Sequence, residues 1–448
     1  MSGTKLSTEK IMNSFFFAFS IIMIATAFFV GSVGDMFSGF VRILTSAQVL
    51  TTDACAVGGL GGSLLNCGLL GLIALALMKF SGAKLGGASI GAFFLTVGFS
   101  FFGKNCLNIW PIILGVWLFS RIKKEPFGKY ANMSLFACSL SPFISESLFN
   151  RNVEYPLALG VVIALFIGIL IGVAFPAVTA HAATMHKGHN LFNAGLSAGF
   201  LAFLFFAIYK TLVLRPMDLE SEYALNGILS NGFPIFFPVL LGGIFLVSLS
   251  AGFMLNEKSF KGYIGLLGRT GHSCDFTALD GMGCVLINFG LLGLGCLAYF
   301  IIIGAPFTGP TVGSLLCIVC WAGNGSHPRN VLPIIAGYVL VSFFAPWNLN
   351  TQAIAVGICF ATGLSPISGR WGWHWGVVAG ALHSCLVSYT AAIHGGFNIY
   401  NGGFTSGLAA LMLVPVLETF CKEISVKKAS KAAVNAAVTQ HDGHFADG

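Results

Sequence analysis

The sequence predicts an all-α polytopic membrane protein made of two inverted repeats of about seven membrane segments each, some of them short, broken or re-entrant. Three observations lead to this fold class. Charged residues make up only 9% of the 448 residues and apolar residues 56%, which is too few charges for a water-soluble surface of this size. Apolar runs long enough to span a bilayer recur along the chain. The motifs of the first half also return, in the same order, in the second half.

The internal duplication is carried by four pairs of motifs that share one offset, 275 − 53 = 222 positions. The pairs begin at Asp53 and Asp275, Asn66 and Asn288, Gly87 and Gly309, and Gly103 and Gly325. A later motif, His-x-Gly-x-Asn-x2-Asn-x-Gly, begins at His186 and again at His394. These matches divide the chain into an N-terminal tail (1–10), repeat 1 (11–213), a linker (214–232), repeat 2 (233–419) and a C-terminal tail (420–448).

Each repeat contains seven apolar segments. Those of repeat 1 are predicted at 11–33, 57–78, 86–102, 107–120, 131–148, 156–178 and 193–213, and those of repeat 2 at 233–254, 279–303, 309–322, 331–346, 350–367, 373–392 and 402–419. The third and fourth segments are short, so each such pair forms either a full or a re-entrant hairpin. Pro142 and Pro366, each in Leu-Ser-Pro, are expected to break or kink the fifth segment.

Loop charges predict the orientation of the two halves. Basic residues lie in the tails and in loops such as 79–84 and 121–129, whereas the equivalent loops of repeat 2, 303–309 and 346–351, carry no charge. Basic loops favour the cytoplasmic side. We therefore expect both tails in the cytoplasm, the linker outside, and the two repeats inverted with respect to each other.

Inverted repeats with interrupted helices are typical of secondary transporters, whose solute sites lie near the midplane. Both repeats place Gly or Pro before an apolar helix, in Gly-Ala-Ser-Ile-Gly and in Gly-Pro-Thr-Val-Gly. Free N–H groups at two such helix starts favour an anionic or oxygen-rich ligand, although capped helix starts in ordinary short loops are the alternative. The predicted ligand contacts there are Gly87, Ser89, Gly91, Gly309, Thr311 and Gly313.

The loops that follow these helices supply further candidates for binding the same solute. Lys104 and Asn108 lie in the first loop, and Arg329 and Asn330 in the second. A cation buried in the membrane is expensive and therefore functional, whereas one at the surface belongs to a solvated loop. Asn66 and Asn288 are either ligand contacts or hydrogen-bonding residues between helices.

Three residues are candidates for a proton or ion relay: Asp280, His186 and His394. Asp280 has no acidic counterpart in repeat 1, and the alternative for it is an interfacial position. The two histidines open the repeated Asn-rich motif, whose amides either contact solute or cap the last segment of each repeat. No Cys/His spacing predicts a metal site, and the C-x-x-C at Cys317 lies inside an apolar run. We expect neither a metal nor another cofactor.

The duplicated motifs resemble an uncharacterised family of prokaryotic polytopic membrane proteins, defined by a duplicated domain of unknown function. The resemblance covers nearly the whole chain outside the tails. It implies a multi-pass protein of the prokaryotic cytoplasmic membrane and carries no activity. A second likeness, to urea-transporter-type channels, rests on the pairing of a Gly-containing loop and Asn with apolar helices. This chain lacks their Leu-Pro signature.

These observations predict a transporter of a small polar or anionic solute, most simply a secondary transporter. The alternative is a passive, urea-transporter-like channel for a small neutral solute. An intramembrane enzyme is not expected, because no nucleophile–base or metal constellation stands out. The expected partners are the solute, the lipid bilayer and further copies of the chain, and nucleic acid is excluded since the basic residues are scattered through short loops and tails.

Overall fold

The computed structural model describes residues 7–149, 155–212 and 232–423. Regular secondary structure in these ranges is helical, apart from one isolated bridge between Gly232 and Phe307. Nine helical segments in this part of the chain are long and apolar enough to cross a membrane. The predicted all-α polytopic class is therefore confirmed. Most of the predicted linker and of both tails lies outside the described residues.

The helices of the two repeats follow the same order. Repeat 1 contains α1 (Thr8–Ala27), α2 (Val33–Leu44), α3 (Ala54–Phe80), α4 (Gly87–Phe99), α5 (Trp110–Ile122), α6 (Ala131–Ala137), α7 (Pro142–Phe149), α8 (Leu157–Met185) and α9 (Asn193–Leu212). Repeat 2 contains α10 (Phe236–Leu255), α11 (Lys261–Leu266), α12 (Phe276–Leu279), α13 (Gly281–Ile302), α14 (Gly309–Val319), α15 (Pro328–Ser342), α16 (Gln352–Ala361), α17 (Ser365–Trp371), α18 (Trp373–Ile393) and α19 (Asn401–Phe420). With α6–α7 and α16–α17 each counted as one broken segment, and with the short helices α2, α11 and α12 set aside, both repeats have the seven predicted membrane segments.

The breaks within these segments occur where the sequence predicts them. A 3₁₀ turn separates α6 from α7, which begins at Pro142, and another separates α16 from α17, where Pro366 lies in the first turn. Proline has no N–H to continue the helical hydrogen bonds of the preceding segment. At each of these two breaks, the backbone therefore has polar groups that the helices themselves do not hydrogen-bond.

A second kind of break explains the Asp-x5-Gly motif. Asp53 and Asp275 cap a short helical turn, and the chain then changes direction at Gly59 and Gly281. These glycines have φ of 69° and 80°, a region that side chains with a Cβ rarely occupy. Each motif therefore encodes a short turn followed by a membrane-spanning helix.

Two hydrogen bonds between the repeats show that they are inverted. The N–H of Gly309 donates to Asp53 Oδ1 at 3.2 Å, and the N–H of Gly87 donates to Asp275 Oδ2 at 3.1 Å. The start of α3 therefore lies beside the start of α14, which follows the end of α13. Equivalently, the start of α12, which leads into α13, lies beside the start of α4, which follows the end of α3. Equivalent helices that pair start to end run in opposite directions, which confirms the predicted inversion.

The core of the molecule is the contact between α4 and α14. All residues of α14 and all but one of α4 are buried. A Cβ on Gly98 would lie 2.6 Å from the carbonyl oxygen of Gly313, and one on Gly313 would lie 2.2 Å from that of Gly98. Both approaches are too close for a side chain, so glycine allows the two backbones to touch.

The helices of the hairpins α4–α5 and α14–α15 have 11 to 15 residues, fewer than a span needs, and the apices bind Asn66 and Asn288 inside spanning helices, which favours re-entrant hairpins. In the first, a Cβ on Gly128 would lie 2.4 Å from the carbonyl oxygen of Ser81, so the chain enters and leaves on one side. The apex of this hairpin is bound by Asn66, near the middle of α3. The non-helical backbone at this depth is tolerated because protein surrounds it.

Candidate functional site

The two repeats exchange chain segments at two equivalent places, which we call junctions. At the first junction, the N–H of Ile399 donates to the carbonyl of Ser139 at 3.2 Å. At the second, the N–H of Leu191 donates to the carbonyl of Gly363 at 2.9 Å. In each case a chain reversal of one repeat pairs with the broken segment of the other. The junctions therefore lie at the boundary between the repeats, next to the apices of the re-entrant hairpins.

The predicted Asn66 and Asn288 build the framework of these junctions. Asn66 Nδ2 donates to the carbonyls of Ser100 and Lys104, at 3.0 and 3.1 Å. Asn288 Nδ2 makes the equivalent pair of bonds, both of 2.8 Å, to Ala322 and Ser326. These carbonyls follow the last turns of α4 and α14, which leave acceptors unsatisfied. Both asparagines thus hold the ends of the central helices in this conformation.

Asn108 and Asn330 also serve the hairpin apices. Asn108 Nδ2 donates to the carbonyl of Gly103, and its Oδ1 accepts from the N–H of Asn105. Asn330 binds the carbonyl of Gly325 in the same way at 2.8 Å. The two side chains therefore close their loops onto the following helices.

The repeated His-x-Gly-x-Asn-x2-Asn motif forms the chain reversals at the junctions. His186 Nε2 lies 2.9 Å from Asn193 Oδ1, and His394 Nε2 lies 2.9 Å from Asn401 Oδ1. In both histidines Nδ1 faces the backbone N–H of the first asparagine of the motif at 3.4 Å. Both ring nitrogens thus have partners within the motif, so the histidines shape the reversal. Their predicted relay role stays a prediction.

The first asparagine of each motif keeps an unused donor. Asn190 and Asn398 accept through Oδ1 from the N–H groups of Phe192 and Tyr400, at 3.0 and 2.9 Å. Their Nδ2 groups make no hydrogen bond among the described residues, although the residues are 3% and 0% exposed. An unpaired buried polar group costs about 1 to 3 kcal/mol. These two amides are therefore candidates for contacting a ligand.

An aromatic cluster lies between the two junctions, and sequence reasoning did not find it. Its rings belong to three pairs of equivalent positions: Phe99 and Trp321, Phe136 and Phe360, and Phe192 and Tyr400. Contacting ring centroids are 5.2 to 6.2 Å apart. The signal available in the sequence was the recurrence of aromatic residues at the offsets of the repeat. We call these six residues the central aromatic cluster.

Three more donors belong to this cluster or border it. The ammonium of Lys104 lies 5.1 Å from the centre of the Phe99 ring, a cation–π distance. The indole nitrogen of Trp321 and the hydroxyl of Tyr400 are buried and make no hydrogen bond among the described residues. The cluster thus combines apolar ring faces with a nearby cation and with two buried donors, Trp321 and Tyr400, that make no hydrogen bond among the described residues.

Lys104 itself is completely buried. Its Nζ donates to the carbonyl of Leu135 at 3.1 Å, and no carboxylate pairs with it in the part of the chain that the structure describes. The equivalent residue of repeat 2 is Ser326, which is neutral. Lys104 is therefore buried within the protein, whereas its deep position in the membrane stays a prediction.

The predicted helix starts of α4 and α14 have protein partners. Besides the two aspartate contacts, the hydroxyl of Ser89 accepts from the N–H of Gly86, and that of Thr311 accepts from the N–H of Thr308 at 2.9 Å. Gly91 faces the Trp321 ring. In this conformation, negative carboxylates neutralise the positive helix ends. The prediction that a solute binds at these residues is untested.

Arg329 and Asp280 line a cavity of about 770 Å³ at the second junction, together with His327 and Asn330. Arg329 is exposed to this cavity. Asp280 accepts two hydrogen bonds from Arg269, of 2.8 and 2.9 Å. This bidentate ion pair supplies a structural reason for the unmatched Asp280.

A second set of contacts ties the repeats together beside this cavity. Arg370 on α17 lies 2.8 Å from Nε2 of His189, and Lys187 pairs with Glu418 on α19. Burial, followed by the charges of His272 and Arg370, lowers the pKa of His189 to about 3. His189 is therefore neutral and accepts a hydrogen bond from Arg370. No group of three His, Cys, Asp or Glu side chains in the described ranges is placed to hold a metal ion.

The fold and the junctions define a class of protein: a polytopic helical membrane protein whose two inverted repeats interlock around a buried centre. A family model for a protein of unknown function, DUF1576, matches the chain twice, over residues 32–211 and 255–419. The two matches cover most of the chain, and one lies within each repeat, so the chain belongs to this family. No curated protein and no solved structure matches it.

Proposed function

We propose that this chain is a membrane transporter of a small anionic or oxygen-rich solute, which binds at the central aromatic cluster. The observation that carries the proposal is the pair of buried amides, Asn190 and Asn398, whose Nδ2 groups lack acceptors. Each lies in a chain reversal of one repeat that pairs with the broken segment of the other repeat. A ligand held there would contact both repeats at once, as alternating access requires.

The chemistry of the surrounding groups favours a carboxylate or a similar anion. The unused donors are the two amide N–H₂ groups and the indole N–H of Trp321. The cation of Lys104 has a carbonyl partner but no carboxylate partner among the described residues. A set of donors is complemented by a ligand with several acceptor oxygens. The rings of the cluster would cover a planar or apolar part of the same ligand.

Two observations favour a transporter over a channel. The rings of the central aromatic cluster are in contact, so a solute crosses only when the repeats move relative to each other. The carboxylate contacts at Gly87 and Gly309 join the two repeats and are bonds that such a movement would break. Basic loops at the cavity of the second junction, including Arg269, support placing that cavity on the cytoplasmic side.

The test is uptake of radiolabelled mono- and dicarboxylates into proteoliposomes. We expect saturable uptake of one of these anions and competition by unlabelled anion. Lys104→Met and Asn398→Ala should each raise the KM about 10-fold or more, because a hydrogen bond to a charged group contributes about 1.5 to 3 kcal/mol. The matched control for the cation is Lys210→Met, since Lys210 also lies over a ring, that of Phe206, but is exposed.

Three results would count against the proposal. Uptake that rises linearly with concentration and ignores competitors would indicate the channel alternative. Normal KM values in Lys104→Met and Asn398→Ala at equal protein abundance would place the site elsewhere. Saturable uptake of urea in preference to every anion tested would overturn the anionic class of solute.

A further inference from the structure

The two aspartates that join the repeats have different surroundings. Asp275 is partly exposed and uses both carboxylate oxygens: Oδ1 accepts from the hydroxyl and the N–H of Thr277, and Oδ2 accepts from Gly87. Asp53 is fully buried. Its Oδ1 accepts from the N–H groups of Cys55 and Gly309, at 2.7 and 3.2 Å, whereas its Oδ2 makes no hydrogen bond among the described residues.

No cation compensates the Asp53 carboxylate in the described part of the chain. On α2, the guanidinium Nε of Arg42 donates to the carbonyl of Val57 at 3.1 Å. On the loop after α4, Lys104 donates to Leu135. The titratable neighbour on α3 is the thiol of Cys55, and the first turn of α14 contains no titratable residue. A buried carboxylate without a cation gains stability by taking up a proton.

We propose that Asp53 is the proton-binding site of this transporter, with the proton carried on Oδ2, and that its protonation releases the contact between α3 and α14. The proposal rests on the proposed transport function and names the coupling ion for it. No bond other than the O–H bond forms or breaks. A neutral carboxyl attracts the start of α14 less than a carboxylate does, so protonation weakens the link that Gly309 makes across the repeats.

The position of Asp53 suits a proton better than a metal cation. A cation such as Ca²⁺ requires six or more oxygen ligands. The carbonyl of Phe101, which lies close to Gly309, already accepts from the N–H of Ala54 at 3.0 Å. Asp53 precedes the spanning helix, and burial raises the pKa of its carboxyl to about 6. The group therefore takes up its proton as the pH falls below about 6 and is a carboxylate above it.

Infrared titration of the purified full-length protein tests the site without any transported solute. Wild type should gain a protonated-carboxyl band as the pH falls from about 8 to about 5. The band should persist in Asp275→Asn, the equivalent aspartate of the other repeat, and disappear in Asp53→Asn. An unchanged band in Asp53→Asn would overturn the proposal. If Asp53→Asn fails to fold, Asp53→Glu should keep the band but shift its midpoint, and an unshifted midpoint would overturn the proposal equally.

Proteoliposome assays then test coupling separately from transport. In wild type an inward proton gradient should drive accumulation of a labelled carboxylate. Asp53→Asn should lose accumulation at least 10-fold while keeping solute exchange, and Asp275→Asn should keep both. Retained accumulation in Asp53→Asn would refute coupling through this residue. Loss of the infrared band in Asp53→Asn, together with absence of any carboxylate uptake in wild type, would instead support the proton site and refute the proposed solute.

Discussion

The two junctions have the same hydrogen-bonded framework and different charges. Asn66 and Asn288 bind equivalent pairs of carbonyls, and the His–Asn contacts of the two reversals have the same length. At the position where the first junction buries the cation of Lys104, the second has Ser326. The duplication therefore fixes the architecture of both sites, whereas the departures from symmetry make them chemically distinct. Predictions about framework residues should hold for both repeats, and predictions about charge should hold for one.

Substitutions at the contact of α4 with α14 are expected to have the largest effect, which is loss of the folded protein. Replacing Gly98 or Gly313 by Leu places a side chain where the opposing carbonyl oxygen lies within 2.6 Å of a Cβ. The central helices would have to separate, so neither variant should yield folded, monodisperse protein in detergent size-exclusion chromatography.

The matched control is Gly295→Leu on α13, because a Cβ at Gly295 has no neighbour within 4 Å. This variant should elute as wild type does. A monodisperse Gly98→Leu protein with wild-type thermal stability would show that the closest approach of the repeats lies elsewhere.

The second-largest expected effect, a loss of stability, tests whether the hydrogen-bonded framework is equivalent in the two repeats. Asn66→Ala and Asn288→Ala each leave two buried carbonyls without their donor, at a cost of about 2 to 4 kcal/mol in the free energy of unfolding. Both variants should lower the thermal unfolding midpoint in detergent by similar amounts. A large loss in one repeat and none in the other would break the equivalence of the junctions.

More of the hydrogen-bonded framework than of the candidate site could be predicted from the sequence. Repeat offsets, prolines and apolar runs depend on local pattern, so the segments, the breaks at Pro142 and Pro366 and the inversion were all accessible. Contacts between distant segments have no such local signal. The bonds from Asp53 to Gly309 and from Asp275 to Gly87 join residues on opposite repeats, and only the fold brings them together.

The central aromatic cluster could not be recognised from the sequence either, because aromatic residues are common throughout this apolar chain. Phe99 and Phe192 lie in a chain with 43 phenylalanines, so no single ring stands out from the core. The amides of Asn190 and Asn398 were visible as a motif, but their unpaired Nδ2 groups depend on packing. Candidates chosen by residue type alone therefore included many framework residues, such as Asn108 and Asn330.

The third effect concerns a charge present in repeat 2. Arg269→Ala removes both hydrogen bonds to Asp280, whose side chain is 7% exposed while that of Arg269 is 33% exposed. The partner carboxylate would lose its compensating cation, but water in the adjoining cavity can reach the site. We expect a loss of about 1 to 2 kcal/mol in unfolding free energy.

The double variant Arg269→Ala, Asp280→Ala should recover part of this loss in thermal denaturation, since it removes the uncompensated charge. If the stability losses of the two single variants add up to that of the double variant, the ion pair itself contributes nothing to stability.

The smallest expected change in the free energy of unfolding is a gain in stability, whereas the preceding changes are losses. Lys104 is buried with one carbonyl and one ring face as its partners, so its charge is poorly compensated. Lys104→Met keeps the length of the side chain and removes the desolvated charge, and we expect it to raise the unfolding free energy by about 0.5 to 1 kcal/mol. Lys210→Met, at an exposed lysine, should leave the unfolding midpoint unchanged. A gain in stability accompanied by a weaker solute interaction would identify Lys104 as a residue kept for function at the expense of stability. Destabilisation by Lys104→Met would instead place Lys104 in the framework with Asn66, and the charge difference between the junctions would then be structural.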